Sequence, residues 1–290
     1  MSRTVRKFLL ILFFLCFPLV SEGKVFSLGI ISDKPVEKKV EGYAPLARYV
    51  AAHLSAQGVT GGRVVVAGSL EEMLRMIARR EVDVVLESPF WTLRMQEKGG
   101  MKPTLLVWKH GKKEYRTVFF VRKDSGLTRL EDLKRKVLAL QDPGSTSAFL
   151  IPAAELRRQG MRMAPAKGKA DPSAVRYVLV GHEKNQVFWV TEKKADAAAF
   201  GSDDWEDVAA PEKEQLKVIH TSRPFLRYVA SFHPALKPGL RKAIVDVLVQ
   251  MDRDPQGQKV LQKASGIRKM EPLSATDRES LRFIREQMQK

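Results

Sequence analysis

A strand–turn–helix passage in the middle of the chain constrains its fold most. Val137-Leu138-Ala139-Leu140 is a short apolar run after basic residues, which predicts a buried strand. Ala148 to Gln159 is rich in Ala, Leu and Arg and stops at Gly160, which predicts a helix with its usual C-terminal residue. Between the two, Pro143-Gly144 dictates a turn, and Ser145, Thr146 and Ser147 stand where the helix begins. The first N–H groups of a helix have no partners inside it, and the helix dipole places partial positive charge there. Three hydroxyls beside those groups suit either of two jobs: capping the helix, or wrapping a small oxyanion without a lysine.

The same alternation recurs on both sides. Val25 to Ile31 predicts a strand, Tyr43 to about Gln57 a helix with Pro45 in its first turn, and Val64 to Ala67 a second strand. Ser69-Leu70-Glu71-Glu72 is a capping box, followed by Leu70, Met73, Leu74 and Ile77 on one helical face. Glu81 to Pro89 then reads as strand and turn. A second unit has the same design: strand Val175 to Val180, helix His182 to Lys194, strand Ala195 to Ser202. Val82-Asp83-Val84-Val85-Leu86-Glu87-Ser88 and Ala195-Asp196-Ala197-Ala198-Ala199-Phe200-Gly201-Ser202 share a weak repeat of aspartate, apolar run and serine. Together these predict an α/β protein of two similar lobes whose strand ends face a shared cleft. Two extended runs, Tyr115 to Val121 and Leu226 to Phe232, are the candidate crossings, and two crossings make a hinge. The expected division is residues 24–117 plus 227–290 for lobe 1 and 118–226 for lobe 2.

The first 23 residues read as a signal peptide. Arg3, Arg6 and Lys7 precede an apolar block from Phe8 to Val20, too short to span a bilayer comfortably, and Ser21-Glu22-Gly23 supplies small residues for cleavage. Cys16 follows Leu15, where a lipoprotein signal would want a small residue, so a lipid anchor is not expected. Cys16 is also the only cysteine, and cleavage at Gly23 leaves a chain that needs no disulfide in an oxidising compartment. The formal net charge is +17. Export removes nucleic acid as a partner, leaving anionic ligands, an anionic membrane surface, an acidic partner or simple surface solvation.

In order and spacing, these segments resemble the periplasmic binding proteins of the phosphate/phosphite/phosphonate ABC transporters. The residues that carry the resemblance are Tyr43-Ala44-Pro45-Leu46, Glu81-Val82-Asp83, Tyr115 leading into Val121 to Gly126, Leu130 to Lys134, and Ser222 to Phe225 with His182. The most specific is Asp142-Pro143-Gly144-Ser145-Thr146-Ser147, with Pro152 and Leu156 to Gly160 after it. The resemblance implies a two-lobed periplasmic binding protein fold with two crossing strands as hinge and the ligand cleft between the lobes. It implies that Ser145, Thr146 and Ser147 hold phosphoryl oxygens, with Tyr43 from the other lobe and His182 nearby. Read from the residues alone, Tyr43 suits core packing equally well, and His182 suits a helix cap.

Asp203 and Asp204 follow the second-lobe strand, where they either line the cleft or face solvent, and Phe90 and Trp91 either wall the cleft or pack beneath it. Glu87 departs from the family, which often has an aromatic or apolar residue there. A carboxylate at that point needs an amine on the ligand, or Lys109 or His110, as partner.

Four functions remain to be weighed. The first is capture of a phosphorus oxyanion for an inner-membrane ABC permease, by a monomer with no cofactor. A sensor docking on a membrane kinase or chemoreceptor is the second. A hydrolase finds little support: there is no Gly-x-Ser-x-Gly, no His-Glu-x-x-His, and the five histidines lack metal-ligand spacing. A nucleic-acid or membrane-surface binder rests on charge alone.

Overall fold

The computed structural model describes residues 23–32, 35–167, 171 and 173–289. The expected signal peptide lies outside them except for Gly23. Among the described residues no helix is long and apolar enough to cross a membrane.

The first half of the chain runs β1 (Lys24–Ile31), α1 (Val36–Ala52), β2 (Val59–Ala67), α2 (Leu70–Ala78), β3 (Val84–Glu87), α3 (Pro89–Gly99) and β4 (Lys102–Lys109). A short β5 (Glu114–Tyr115) leads to β6 (Thr117–Arg122) and β7 (Val137–Leu140). A π-helical turn, Thr146–Leu150, then runs into α4 (Ile151–Arg158). Next come β8 (Met163–Pro165), β9 (Val175–Leu179), α5 (Glu183–Thr191), β10 (Ala197–Gly201), α6 (Ser202–Glu206), α7 (Ala210–Lys213) and β11 (Leu216–Thr221). The chain returns through β12 (Phe225–Leu226) to β13 (Tyr228–Phe232), α8 (Pro238–Gln250), α9 (Pro255–Lys263), β14 (Ile267–Pro272) and α10 (Ala275–Met288).

Two six-stranded sheets result, ordered β14-β4-β13-β3-β1-β2 and β11-β6-β10-β7-β9-β8. Each has a parallel half, and each takes antiparallel strands on the other side: β13, β4 and β14 in the first, β6 and β11 in the second. Alternation along β3 shows how the first sheet is covered on both faces. Val84 and Leu86 join the core under α1, α8 and α9, while Val85 joins the core under α2 and α3. The second sheet is likewise sandwiched between two apolar clusters, one around Phe119 and Leu138 and one around Phe120 and Phe200.

Between the sheets, β5 and β12 pair with each other and, among the described residues, with no other strand, Phe225 opposite Tyr115 and Leu226 opposite Glu114. The extended run from Tyr115 is therefore split: Tyr115 belongs to the connection, and Thr117 onward to the second sheet. Arg227 likewise separates β12 from β13.

Two expectations are corrected. The helix carrying Tyr43 starts at Val36, so Pro45 sits inside it rather than in its first turn. The helix tolerates this because the carbonyl that Pro45 leaves without an N–H partner belongs to Glu41, an exposed residue open to water. In the Ser69 capping box, Ser69 Oγ accepts the Glu72 N–H at 3.2 Å, but Glu72 Oε2 takes the N–H of Gly68, at 2.7 Å.

Candidate functional site

Both sheets present the C-terminal ends of their parallel strands to the same region, and the site is built from those ends. In the first sheet β13 runs antiparallel to both β3 and β4, so β3 and β4 end together. That places Glu87, the last residue of β3, and Lys109, the last of β4, on either side of Tyr228, which opens β13. In the second sheet β7 ends at Leu140 and feeds the Gln141–Ser147 turn, while β10 ends at Gly201 and feeds the aspartates of α6.

A cavity of about 300 Å³ lies between them. Lobe 1 lines it with Glu87, Ser88, Trp91 and Lys109, the return strand with Arg227 and Tyr228, and lobe 2 with the hydroxyl turn and Asp204. Gln141, Asp142 and Tyr115 complete the wall.

The turn is held from inside the chain. Asp142 Oδ1 accepts the N–H of Gly144 at 2.8 Å, and Ser145 Oγ caps the following helix by accepting the Ala148 N–H at 3.1 Å. Thr146 Oγ1 accepts the N–H of Phe90 at 3.0 Å, a hydrogen bond from one lobe to the other. Ser147 is hydrogen-bonded through its side chain to Tyr115, and its carbonyl accepts from Thr117 Oγ1 at 2.8 Å. Capping and cleft lining are therefore not alternatives here. A hydroxyl that accepts one N–H keeps its own hydrogen to donate, so Ser145 and Thr146 can serve helix, lobe contact and ligand together.

Glu87 is 4% exposed. Its Oε1 accepts the N–H of Ile31 at 3.2 Å and its Oε2 that of Ser88 at 2.9 Å. Burial pushes its pKa up to about 7, although those two N–H groups and the charges of Lys109 and Lys39 pull the other way. Lys109 is pushed down to about 8, by burial first and then by Arg227 and Lys39, with Glu87 opposing. Asp204 is raised to about 6 by burial and the nearby Glu183. Tyr115 is raised to about 12 and Tyr228 well above its ordinary value, burial leading in each case. The cavity therefore mixes two cations, Lys109 and Arg227, with three carboxylates, of which Glu87 and Asp204 are costly to ionise and Asp142 is engaged with the Gly144 N–H, and a set of neutral donors. Among the described residues no group of three or more His, Cys, Asp or Glu is arranged to hold a metal ion.

Of the residues expected to bind ligand, Ser145, Thr146, Ser147 and Glu87 come together around this cavity. Tyr43 does not line it. It is 2% exposed in the core under α1, hydrogen-bonded to Ser265, with Glu87 near enough for their charges to interact. His182 is not brought to it either: β9 lies on the far side of β7, and His182 caps α5 by accepting the Lys184 N–H at 3.3 Å. Asp203 turns away to pair with Lys112 at 3.1 Å and with Arg227, while its neighbour Asp204 faces the cavity. Consecutive residues on a helix point about 100° apart, so only one of the two can line a given wall. Arg227 was not among the expected site residues. Its signal in the sequence was a charge inside the otherwise apolar run Phe225 to Phe232.

The comparisons agree with this architecture. XAC2383 from Xanthomonas citri, solved bound to chloride ion, is 28% identical over 91% of this chain and 97% of its own, with a TM-score of 0.85. The same protein bound to ATP gives 27% identity over the same shares and a TM-score of 0.83. PhnD1 from Prochlorococcus marinus, in complex with methylphosphonate, shares the fold at 16% identity, covering 92% of this chain and 99% of its own with a TM-score of 0.70. A family model described as the phosphonate periplasmic substrate-binding protein of ABC transporters matches residues 28–278. The chain therefore belongs to the phosphonate-binding family of periplasmic ABC-transporter components, solute-binding proteins rather than enzymes, which work with a membrane permease.

Proposed function

We propose that this protein captures a phosphorus oxyanion, phosphate, phosphite or a phosphonate, between its two lobes and delivers it to an inner-membrane permease. The observation that carries this reading is the convergence of the Ser145-Thr146-Ser147 turn with Lys109 and Arg227 on one cavity. Hydroxyls and half-buried cations supply the donors that a phosphoryl group requires, and a hydrogen bond to a charged acceptor is worth about 1.5–3 kcal/mol. Several together reach micromolar affinity after ordering and desolvation are subtracted.

The lobes are residues 24–116 plus 227–290 and residues 117–226, Thr117 opening β6 of the second sheet, and they close on the ligand about the paired crossings. The chain acts as an exported monomer. Support for an anionic ligand also comes from the Xanthomonas protein, since chloride and ATP share negative charge and little else. Calorimetric titration of residues 24–290 with phosphate, phosphite and methylphosphonate tests the reading. Saturable binding of at least one supports it, and no heat from any of them overturns it.

A further inference from the structure

Asp203 stands where the sequence expects a ligand-binding carboxylate, yet both of its oxygens are taken up by the protein. Its Oδ1 accepts from Lys112 Nζ at 3.1 Å, and its Oδ2 is paired with Arg227 Nη1. Lys112 lies in the turn between β4 and β5, and it also meets Glu206 at 2.6 Å, one turn further along α6. Arg227 lies between β12 and β13. Its N–H donates to the Lys113 carbonyl at 3.1 Å, and its guanidinium sits 5.0 Å from the centre of the Tyr115 ring. Asp203 itself belongs to α6, carried by the second sheet at the end of β10. The row Lys112–Asp203–Arg227 therefore crosses from the first sheet's side to the second and back. The Arg227 side chain lines the cavity at 14% exposure, and its Nε is buried with no acceptor. A guanidinium cannot shed its proton, so burial leaves it in need of a carboxylate. Lys109 is near enough for the two cations to repel, and Asp204, which burial makes costly to ionise, is a poor substitute partner.

We propose that Asp203 is the positioning residue for Arg227: brought in from the second sheet as the lobes close, it fixes the guanidinium that holds the anion and does not touch the anion itself. The inference rests on the oxyanion reading above and adds to it. Asp203 takes one N–H of Arg227 and Tyr115 backs its face, which leaves further N–H groups on the terminal nitrogens for ligand oxygens. Lys112 holds the other oxygen of Asp203 and so fixes the carboxylate in turn. The anion-holding geometry of Arg227 is then assembled by closure rather than present in the open cleft.

The test is a double-mutant cycle on phosphate and methylphosphonate affinity, measured by calorimetry on residues 24–290. Asp203→Asn keeps the size of the side chain and removes its charge, and Arg227→Gln removes the guanidinium. With Arg227 in place, Asp203→Asn should weaken binding at least about tenfold. In the Arg227→Gln background it should change affinity by less than about threefold, since nothing remains to be positioned. A purely structural role for Asp203 would weaken both backgrounds alike, and that additivity overturns the proposal. So does a tenfold loss in Glu206→Gln, which removes the Lys112–Glu206 pair but leaves Asp203 on Arg227, because the effect would then belong to the docking of α6. If Asp203→Asn folds poorly, the double variant leaves no unpaired cation behind, and an affinity below that of Arg227→Gln alone is enough to reject the role. Native protein that binds neither anion sinks the oxyanion reading and the positioning role with it. Every other outcome leaves that reading standing.

Discussion

Asp83 and Asp196 make the same pair of hydrogen bonds in the two lobes. Asp83 Oδ2 accepts the N–H of Ser27 at 3.0 Å, and the Asp83 N–H donates to the Ser27 carbonyl at 2.9 Å. Asp196 Oδ2 accepts the N–H of Val137 at 2.8 Å, and the Asp196 N–H donates to the Val137 carbonyl at 2.9 Å. Each aspartate stands just before a central strand and fastens it to a parallel neighbour one residue ahead of the first paired positions, Leu28 with Val84 and Leu138 with Ala197. The weak repeat in the sequence thus has a physical cause.

Removing either carboxylate should leave a part-buried N–H unpaired. Asp83→Ala and Asp196→Ala should each cost about 1–3 kcal/mol in urea denaturation. Asp83→Ala also loses the ion pair with Lys24 at 3.0 Å and should be the costlier or equal of the two. Asn at either position keeps the acceptor and should recover most of the loss. A cost below about 0.5 kcal/mol at both sites would mean that these bonds do not fix the strands.

Glu87 makes stability depend on pH. Its folded pKa, about 7, lies above the ordinary 4.5, so the fold favours the protonated form. The contribution is complete below pH 4.5 and is lost as pH rises through 7, by about 3 kcal/mol in all. Glu87→Gln cannot titrate. Its stability relative to the native protein should therefore be about 2–3 kcal/mol more favourable at pH 8 than at pH 4.5, whatever fixed cost the amide brings. Denaturation curves at the two pH values measure the difference, and a difference near zero would show Glu87 to be solvated.

Gly144 lies against Trp91 of the other lobe. A methyl group on Gly144 would fall 2.0 Å from the Trp91 ring. Gly144→Ala should leave lobe stability within about 1 kcal/mol yet hold the cleft apart, lowering ligand affinity tenfold or more. Small-angle scattering in the presence of ligand should show a larger radius of gyration than the native protein gives. Trp91→Ala in the same chain should restore closure, and affinity unchanged in the single variant would remove Trp91 from the closing contact.

Replacing Ser145, Thr146 and Ser147 together with alanine should weaken phosphonate binding by at least about a hundredfold, since up to three donors to a charged acceptor are lost. Their structural duties separate them. Ser145→Ala loses a cap and should cost about 1 kcal/mol of stability. Thr146→Val loses the acceptor for Phe90 and should weaken binding with little change in melting temperature. A triple variant that binds normally would return the turn to capping alone.

What could be read from the sequence was local and periodic. Val137–Leu140 and its hydroxyl turn, the Ser69 cap and the two lobes were legible because strand burial, helix entry and turn chemistry are written in neighbouring residues. The cleft wall was less so. Lys109 and Tyr228 reach Glu87 only because β13 returns antiparallel between β3 and β4, a pairing across more than a hundred residues that no local pattern encodes. His182 and Asp203 show the converse. Each follows a strand as the reading required, but the strand order and the helical phase turn them elsewhere.

The two-residue ladder of β5 and β12 has a mechanical consequence. Because Tyr115 and Phe225 lie opposite each other, the two connections run side by side and not as independent linkers, so a strain on one is passed to the other. The halves are tied away from the ladder as well, where Arg157 donates to the Gln287 carbonyl at 3.1 Å and Arg223 lies over the Phe283 ring. A pair of fluorescent labels, one on each side, should therefore change its transfer efficiency when phosphate or methylphosphonate is added, and an unchanged signal at saturation would mean that the halves do not move.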